Sequence, residues 1–317
     1  MSAEPPQKAP FDLQGHRGAR GLRPENTLAA FAHALSLGVT TLELDCGVTR
    51  DGVVVVSHDS ELNPDHTRDA AGNFLEKTGP GLFSITYDDL RKYDVGRLKP
   101  GTAYAMRHPE QEAKDGERIP QLADVFALVK KAGNGAVRFN IETKLYPARP
   151  ELTLPPQPFA EAVIKVIREA GMQSRSTIQS FDWRTLKIVQ KIAPDVATVA
   201  LTTQRSAADD NIQIGKPGPS LWLAGLDVDD FGGSVPKVVK ASGAFVWSPN
   251  YLDIDQRLVD EAHGLGLHVI PWTINDRADL EQILALGVDG IISDYPDRLR
   301  SVVGARGLAL PAPTSIR

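Results

Sequence analysis

The stretch TLELDC, residues 41–46, decides the fold of this chain because apolar and acidic side chains alternate along it. In a β-strand, alternate side chains share a face, so Glu43 and Asp45 point away from the two leucines. If the leucines pack against the helices of a barrel, the two carboxylates face the barrel axis. An unpaired charge is costly there, so the pattern predicts a cation beside the acids. Ion pairs with Arg17 or Lys144, or an edge strand with its acids in water, are the structural alternatives.

Short strand-like runs recur along the rest of the chain, and most precede a segment of helical period. The other runs are residues 12–15, 137–142, 176–180, 197–201, 244–247, 267–272 and 290–293. Helices are predicted at Leu28–Leu35 after an Asn26 or Thr27 cap, Leu122–Ala132, Phe159–Ala170, Trp183–Ile192, Val235–Ala241, Gln256–Leu265 and Ala278–Leu286. Eight strands alternating with helices predict a (β/α)8 TIM barrel.

The rhythm breaks between His58 and Gln121, where proline, glycine and polar residues dominate. We therefore expect a tail at residues 1–10, a barrel over 11–303 with a small inserted subdomain at about 60–120 after the second strand, and a tail at 304–317. The insertion is either a surface excursion or a lid over the barrel mouth.

Composition excludes several classes of protein. The formal net charge is −5, and no stretch concentrates lysine and arginine, so we expect no nucleic-acid partner. The single cysteine, Cys46, excludes an intramolecular disulfide. No apolar run is long enough to span a bilayer, and the start lacks a secretory h-region, so we expect a soluble protein. Its compartment stays open between the cytoplasm and the periplasm or exterior, since the proline-rich start could be a mature N-terminus. The oligomeric state is open too.

The chemistry-bearing residues cluster early in the sequence. His16 and Arg17 follow the first strand, and His58 ends the run VVVVS at residues 53–57. Two imidazoles can exchange protons near neutral pH, and a guanidinium can hold an oxyanion. Glu142 ends another strand, so with Glu43 and Asp45 it completes a three-carboxylate site for Mg²⁺ or Ca²⁺, with Mn²⁺ as a further candidate. The ligand types make zinc less suitable.

Several motifs together resemble the signature of the glycerophosphodiester phosphodiesterase family. The resemblance runs from about residue 12 to residue 300. The motifs are HRG at 16–18, RPENT at 23–27, ELD at 43–45, TRDG at 49–52, SHD at 57–59, ETK at 142–144, QSF at 179–181 and PWTIN at 271–275.

The resemblance implies a barrel, a divalent metal and hydrolysis of glycerophosphodiesters to glycerol 3-phosphate and an alcohol. Carried over by position, the metal ligands are Glu43, Asp45 and Glu142, the acid/base pair is His16 and His58, and the phosphate contacts are Arg17 and Lys144. Glu25 matches a motif position as a metal or glycerol contact, or else supplies charge at a helix N-terminus. No serine or cysteine lies in a nucleophile elbow, so the attacking oxygen comes from the substrate or from water. Our hypothesis is that the C2 hydroxyl of the substrate attacks, which gives a cyclic phosphate that water then opens.

Two other functions compete with this hypothesis. A lipid-directed phosphodiesterase of the sphingomyelinase D or lysophospholipase D type could use the same scaffold, although the insertion is mostly polar. A binding module without catalysis would keep the pocket, but it should have lost a histidine or a carboxylate.

Trp272, at a strand end, is the best of three tryptophans to hold a quaternary ammonium by cation–π contact, with core packing as its alternative role.

Overall fold

A parallel barrel forms the body of the computed structural model, which describes residues 10–206 and 209–315. The strands in these ranges are β1 Asp12–Gly15, β2 Thr41–Val48, β3 Val54–Val56, β4 Arg138–Thr143, β5 Ser176–Ser180, β6 Ala197–Thr202, β7 Gln204–Ser206, β8 Asp209–Asp210, β9 Val246–Pro249, β10 His268–Val269 and β11 Gly290–Ser293. Eight of these described strands run parallel in the order β10-β9-β6-β5-β4-β2-β1-β11. The Asp289 and Ile292 amides donate to Val269 O and Pro271 O at 2.9 and 3.0 Å, which joins β11 to β10. The predicted barrel is confirmed.

Helices follow most barrel strands. They are α1 Leu28–Leu37, α2 Tyr87–Leu90, α3 Ala103–Arg107, α4 Leu122–Lys131, α5 Pro156–Ala170, α6 Trp183–Ile192, α7 Val235–Ala241, α8 Gln256–Gly264, α9 Arg277–Ala285 and α10 Pro296–Ala305. At the start of α1, Thr27 is the cap, and its hydroxyl accepts from the Ala30 amide at 3.2 Å. Gly38 ends α1 with φ 83°, a conformation that glycine adopts without strain.

The strand predicted at 267–272 is regular only over His268–Val269. Pairing with β9 nevertheless continues, because Ile270 and Trp272 donate their amides to Trp247 O and Pro249 O, both at 3.0 Å. Pro271 lies between them and has no amide hydrogen, so it accepts from the Ile292 amide on the β11 side at 3.0 Å but cannot donate there. The expected segment is therefore present, with an irregular end at the barrel mouth.

The main core lies between the barrel and its helices, as the alternation in β2 predicts. Leu42, Leu44 and Cys46 are fully buried on the helix side. Phe126 of α4 meets Phe139 of β4 edge to face, with ring centroids 4.8 Å apart. The acids of β2 consequently face the barrel axis.

The segment between β3 and α4 packs around a small core of its own. Strand β3 pairs antiparallel with the end of β2, with Cys46 opposite Val56. The buried members of this second core are Val55, Leu62, Leu82, Leu90, Val95 and Ile119. Helices α2 and α3 belong to this segment, which leads from the carboxyl end of β2 back to the barrel.

The C-terminal part returns to the barrel after α10. Helix α10 reaches Ala305, slightly past the expected barrel end at 303. Beyond it, the Thr314 amide donates to Leu35 O at 2.8 Å, and Arg300 bonds Pro311 O at 2.7 Å. Among the described helices, none has both the length and the apolar character needed to cross a bilayer.

Candidate active site

A cavity of about 150 Å³ opens at the carboxyl ends of the barrel strands. It is lined by His16, Arg17, Arg20, Glu43, His58, Glu142, Lys144, Gln179, Phe181, Leu201, Trp272, Thr273 and Ile292. A larger cavity of about 300 Å³ lies at the opposite end, where Asp12 pairs with Arg138 at 3.0 Å. Barrel enzymes carry their chemistry at the carboxyl ends, so we place the candidate site in the smaller cavity.

Three acids converge at its floor. Oxygen atoms of Glu43, Asp45 and Glu142 lie within 4.8 Å of one another, and all three residues are buried. Lys144 Nζ lies 2.9 Å from Glu142 and 3.7 Å from Asp45, and Arg17 Nε lies 3.3 Å from Asp45. Both predicted ion-pair partners are therefore present beside the cluster.

The electrostatics of these acids fit a divalent cation. Burial raises the pKa of Glu142 to about 7, with Lys144 opposing the shift and the charge of Asp45 adding to it. Burial and Asp45 also hold the pKa of Glu43 well above its usual range. Three hard oxygen donors that repel one another in a buried site are a suitable ligand set for Mg²⁺, Mn²⁺ or Ca²⁺.

Neighbouring polar groups hold the two β2 acids in place. The Arg17 amide donates to Glu43 Oε2 at 2.8 Å, and Gln179 Nε2 donates to Glu43 Oε1 at 2.6 Å. Asn26 Nδ2 donates to Asp45 Oδ2 at 2.9 Å. Sequence reasoning quoted Asn26 and Gln179 within motifs but assigned neither of them this contact.

His16 is held by a residue that sequence reasoning missed. Its Nδ1 lies 2.6 Å from Asp294 Oδ1, and Arg20 binds the same carboxylate through Nε and Nη2 at 2.8 and 2.9 Å. Burial, followed by the charge of Arg20, lowers the pKa of His16 to about 4. The available signal was position, since Asp294 directly follows β11 and so had to lie at the barrel mouth.

His58, which also lines the cavity, has a similar arrangement. Its Nδ1 lies 2.7 Å from Asp59 Oδ1, while Asn63 Nδ2 donates to Asp59 Oδ2 at 2.7 Å. Burial, and then the charges of Arg17 and Lys144, lower the pKa of His58 to about 4. With Nδ1 donating to a carboxylate, each imidazole keeps Nε2 as the acceptor.

Glu25 lies outside the three-acid cluster and pairs with Arg17. Its Oε1 accepts from Arg17 Nη1 at 2.7 Å, and its Oε2 accepts from the Tyr104 hydroxyl of α3. Burial opposes the shift, but the charge of Arg17 and then of His66 lower the pKa of Glu25 to about 2. Arg17 is thus held between Glu25 and Asp45.

Part of the cavity wall is apolar and aromatic. Trp272 meets Phe181 edge to face with centroids 5.5 Å apart, and its Nε1 donates to Ser248 O at 3.0 Å. Lys144 Nζ lies 5.9 Å from the centre of the Phe181 ring. Trp272 therefore lines the candidate site, as its strand-end position predicts.

Comparison with known proteins shows the family of this chain. Residues 16–298 match the glycerophosphoryl diester phosphodiesterase family. The chain belongs to this family. The expected enzyme class, a phosphoric diester hydrolase with a small-molecule glycerophosphodiester substrate, is thereby confirmed.

Individual relatives cover nearly all of the chain. A glycerophosphodiester phosphodiesterase of Caldanaerobacter subterraneus subsp. tengcongensis is 32% identical over 296 residues, covering 92% of this chain and 97% of the relative. A putative glycerophosphoryl diester phosphodiesterase structure from Silicibacter pomeroyi is 35% identical with a TM-score of 0.83, covering 94% of this chain and 95% of that one. A human lysophospholipase D is 28% identical, covering 90% of this chain and 83% of its own.

Proposed function

We propose that this protein hydrolyses glycerophosphodiesters to glycerol 3-phosphate and an alcohol, with a divalent cation held by Glu43, Asp45 and Glu142. The observation that carries the proposal is that one cavity is lined by Glu43, Glu142 and two histidines. Asp45 lies in the same acid cluster, and each histidine is bonded to a carboxylate of its own. A 20% identical structure from Oleispira antarctica, which shares the fold with a TM-score of 0.67, was solved with the product sn-glycerol-3-phosphate.

The cation, when bound, would polarise the phosphoryl oxygens and lower the pKa of the substrate hydroxyl. Mg²⁺, Ca²⁺ and Mn²⁺ all suit the ligand set. The side chains of Arg17 and Lys144 would contact the phosphate through charge-assisted hydrogen bonds. Arg17 and Lys144 both line the cavity, and Arg17 Nε lies 3.3 Å from Asp45 Oδ2 without forming a hydrogen bond among the described residues, so this guanidinium can turn part of its donor capacity towards a bound phosphate.

The histidines would move the protons. With pKa values lowered to about 4, both rings are neutral at pH 7, so either can take the proton of the C2 hydroxyl. The negative charge of a bound phosphodiester favours the protonated form of an imidazole beside it, so the other ring can protonate the departing alcohol. This step gives a cyclic phosphate, and water opens it with the roles of the two rings reversed.

The inserted subdomain, about residues 60–120, would close one side of the substrate pocket. Tyr104 supports this role, because it reaches from α3 to Glu25, which in turn bonds Arg17. We keep the division of the chain into a tail at 1–10, a barrel at 11–303 and a tail at 304–317. Residues 1–9 lie outside the described part of the chain.

A panel of glycerophosphodiesters, each with Mg²⁺, Mn²⁺ or Ca²⁺, tests the proposal by release of glycerol 3-phosphate. His16→Ala and His58→Ala should each reduce turnover by about 10² to 10⁴. His263→Ala is the matched control, since this histidine pairs with Asp289 far from the cavity lining. Full activity in EDTA would refute the metal assignment, and near-normal turnover in a histidine variant would remove that histidine from the mechanism.

A lipid-directed phosphodiesterase is the second candidate, because the wall of Phe181, Leu201 and Trp272 offers apolar contact and a human lysophospholipase D is among the relatives. Glycerophosphocholine and lysophosphatidylcholine differ only in the acyl chain. Faster turnover of the lysolipid would favour this candidate. Tight binding of glycerophosphodiesters without turnover under any cation would instead indicate a binding module.

A further inference from the structure

A buried chain of amide side chains runs beneath the acid cluster, along the axis of the barrel. Gln14, Asn140 and Gln179 project inward from β1, β4 and β5, and each is at most 2% exposed. Asn140 Nδ2 donates to Gln179 Oε1 at 2.8 Å and to Gln14 Oε1 at 3.0 Å. Asn140 is therefore the branch point of the chain.

The donor and acceptor of every hydrogen bond in this chain of amides follow from the residues at its two ends, Glu43 and Asp12. The Glu43 carboxylate at one end, which is ionised when it holds a cation, and the Asp12 carboxylate at the other, which lies 3.0 Å from Arg138 Nη2, both act as acceptors. Gln179 and Gln14 must therefore turn their NH₂ groups outward, to Glu43 at 2.6 Å and to Asp12 at 2.9 Å. Their carbonyl oxygens then face the centre of the barrel and require donors.

Asn140 satisfies both requirements with its two amide hydrogens. Its own Oδ1 accepts from the Thr177 hydroxyl at 2.9 Å, so both amide hydrogens and the amide oxygen of Asn140 are hydrogen-bonded. A buried polar group with all partners satisfied has one preferred orientation. Asn140 consequently determines which face Gln179 presents to Glu43.

We infer that Asn140 is a positioning residue for the cation site, acting through Gln179 on Glu43. Without the Asn140 donor, the Gln179 carbonyl oxygen is buried and unpaired, and the amide can turn over. A turned amide points an oxygen at the Glu43 carboxylate, which replaces an attractive contact with a repulsive one. Mutation of a residue that orients a metal-ligating side chain typically weakens metal affinity by about 10- to 100-fold. This inference rests on the cation site of the proposed function.

Asn140→Leu and Gln14→Met form a matched pair that tests it. Each replaces one buried amide of the chain by an apolar side chain of the same length, but only the first removes the donor to Gln179. Titration calorimetry with Mg²⁺ alone should show a dissociation constant about 10- to 100-fold weaker for Asn140→Leu and close to the wild-type value for Gln14→Met. Equal weakening in both variants would mean general loosening of the core and would overturn the inference.

A double-mutant cycle separates action through Gln179 from direct effects. If Asn140 acts only through Gln179, Asn140→Leu should add no further loss of Mg²⁺ affinity to a Gln179→Met protein. Additive losses would overturn the inference.

If the leucine variant does not fold, Asn140→Ser replaces it, because its shorter side chain cannot reach Gln179 Oε1, and the same outcomes apply. Absence of Mg²⁺, Mn²⁺ and Ca²⁺ binding in the wild type would overturn both the cation site and this inference, whereas binding that Asn140→Leu leaves unchanged would overturn the inference alone.

Discussion

Replacing Asp294 by asparagine should reduce both turnover and stability, because this fully buried carboxylate binds the imidazole of His16 and the guanidinium of Arg20. It holds His16 Nδ1 at 2.6 Å and both Nε and Nη2 of Arg20 at 2.8 and 2.9 Å. Asn275 Nδ2 donates to Asp294 Oδ2 at 2.8 Å. An amide of the same shape keeps the volume but removes the charge and one acceptor.

The size of each effect follows from these contacts. The Arg20 side chain is 15% exposed, so the variant leaves a largely buried guanidinium unpaired. Breaking one partner of a buried ion pair costs about 3–5 kcal/mol of unfolding free energy, and partial exposure places the expectation near the lower value. In one orientation the asparagine NH₂ faces His16 Nδ1 and Arg20 Nε, and the ring loses its tautomer. In the other orientation the NH₂ faces Arg20 Nη2 and Asn275 Nδ2, which displaces the amide and with it the ring. Loss of an oriented acid/base group should lower kcat by about 10² to 10⁴.

The assay combines urea unfolding at pH 7 with steady-state kinetics on glycerophosphocholine at saturating cation. The fraction of folded protein is measured in the kinetic buffer, so that the kcat of folded enzyme is compared. Asp59→Asn is the matched control, because it removes the carboxylate behind His58 but is 32% exposed. It should lower kcat while costing much less stability. A folded Asp294→Asn protein with a kcat within a few-fold of wild type would refute the role assigned to Asp294.

Three further perturbations test other parts of the structure. Tyr104→Phe leaves the buried Glu25 carboxylate without its hydroxyl donor and should lower stability by about 1–3 kcal/mol and raise KM, measured by urea unfolding and kinetics; unchanged values would show that the insertion does not support Arg17. Leu44→Ala opens a cavity behind the acid cluster and should cost about 2–5 kcal/mol, with little change in Mg²⁺ affinity by calorimetry if the two sides of β2 act independently. Lowering the pH should also remove the contribution of Asp294 to the free energy of unfolding. Its carboxyl pKa lies well below the usual range because Arg20 and His16 outweigh burial, so its stabilisation is present above the unfolded-state pKa of about 3.9 and is lost as pH falls towards the lowered native value. The stability difference between wild type and Asp294→Asn should therefore be large at pH 7 and shrink below about pH 4, and a constant difference would contradict this sign.

The barrel and the acid cluster could be predicted because their signals are local. Alternation in TLELDC places Glu43 and Asp45 on the inner face, and the burial of Leu42 and Leu44 on the helix side confirms it. Parallel strands bring their carboxyl ends to one rim, so Glu142 had to lie near the other two acids. The roles of these residues in catalysis remain predictions that the experiments above test.

Residues brought in from distant parts of the chain were not predicted. Asp294 lies 278 positions from His16, and Tyr104 lies 79 positions from Glu25. No periodicity or motif links such pairs, because their contact depends on closure of the barrel and on packing of the insertion. Glu25 shows the same limit, since its motif left two roles open and the structure shows a carboxylate bonded to Arg17.

The amino-acid sequence by itself determined the strand and helix pattern, the inner face of β2 and the kinds of side chain at the barrel mouth, because these depend on local period and residue chemistry. Only the tertiary structure decided which carboxylate holds each histidine and how the Gln14, Asn140 and Gln179 amides are oriented. Those contacts join strands that lie far apart in sequence, and their hydrogen-bond directions are determined by the charged groups at the two ends of the barrel interior, Glu43 and Asp12.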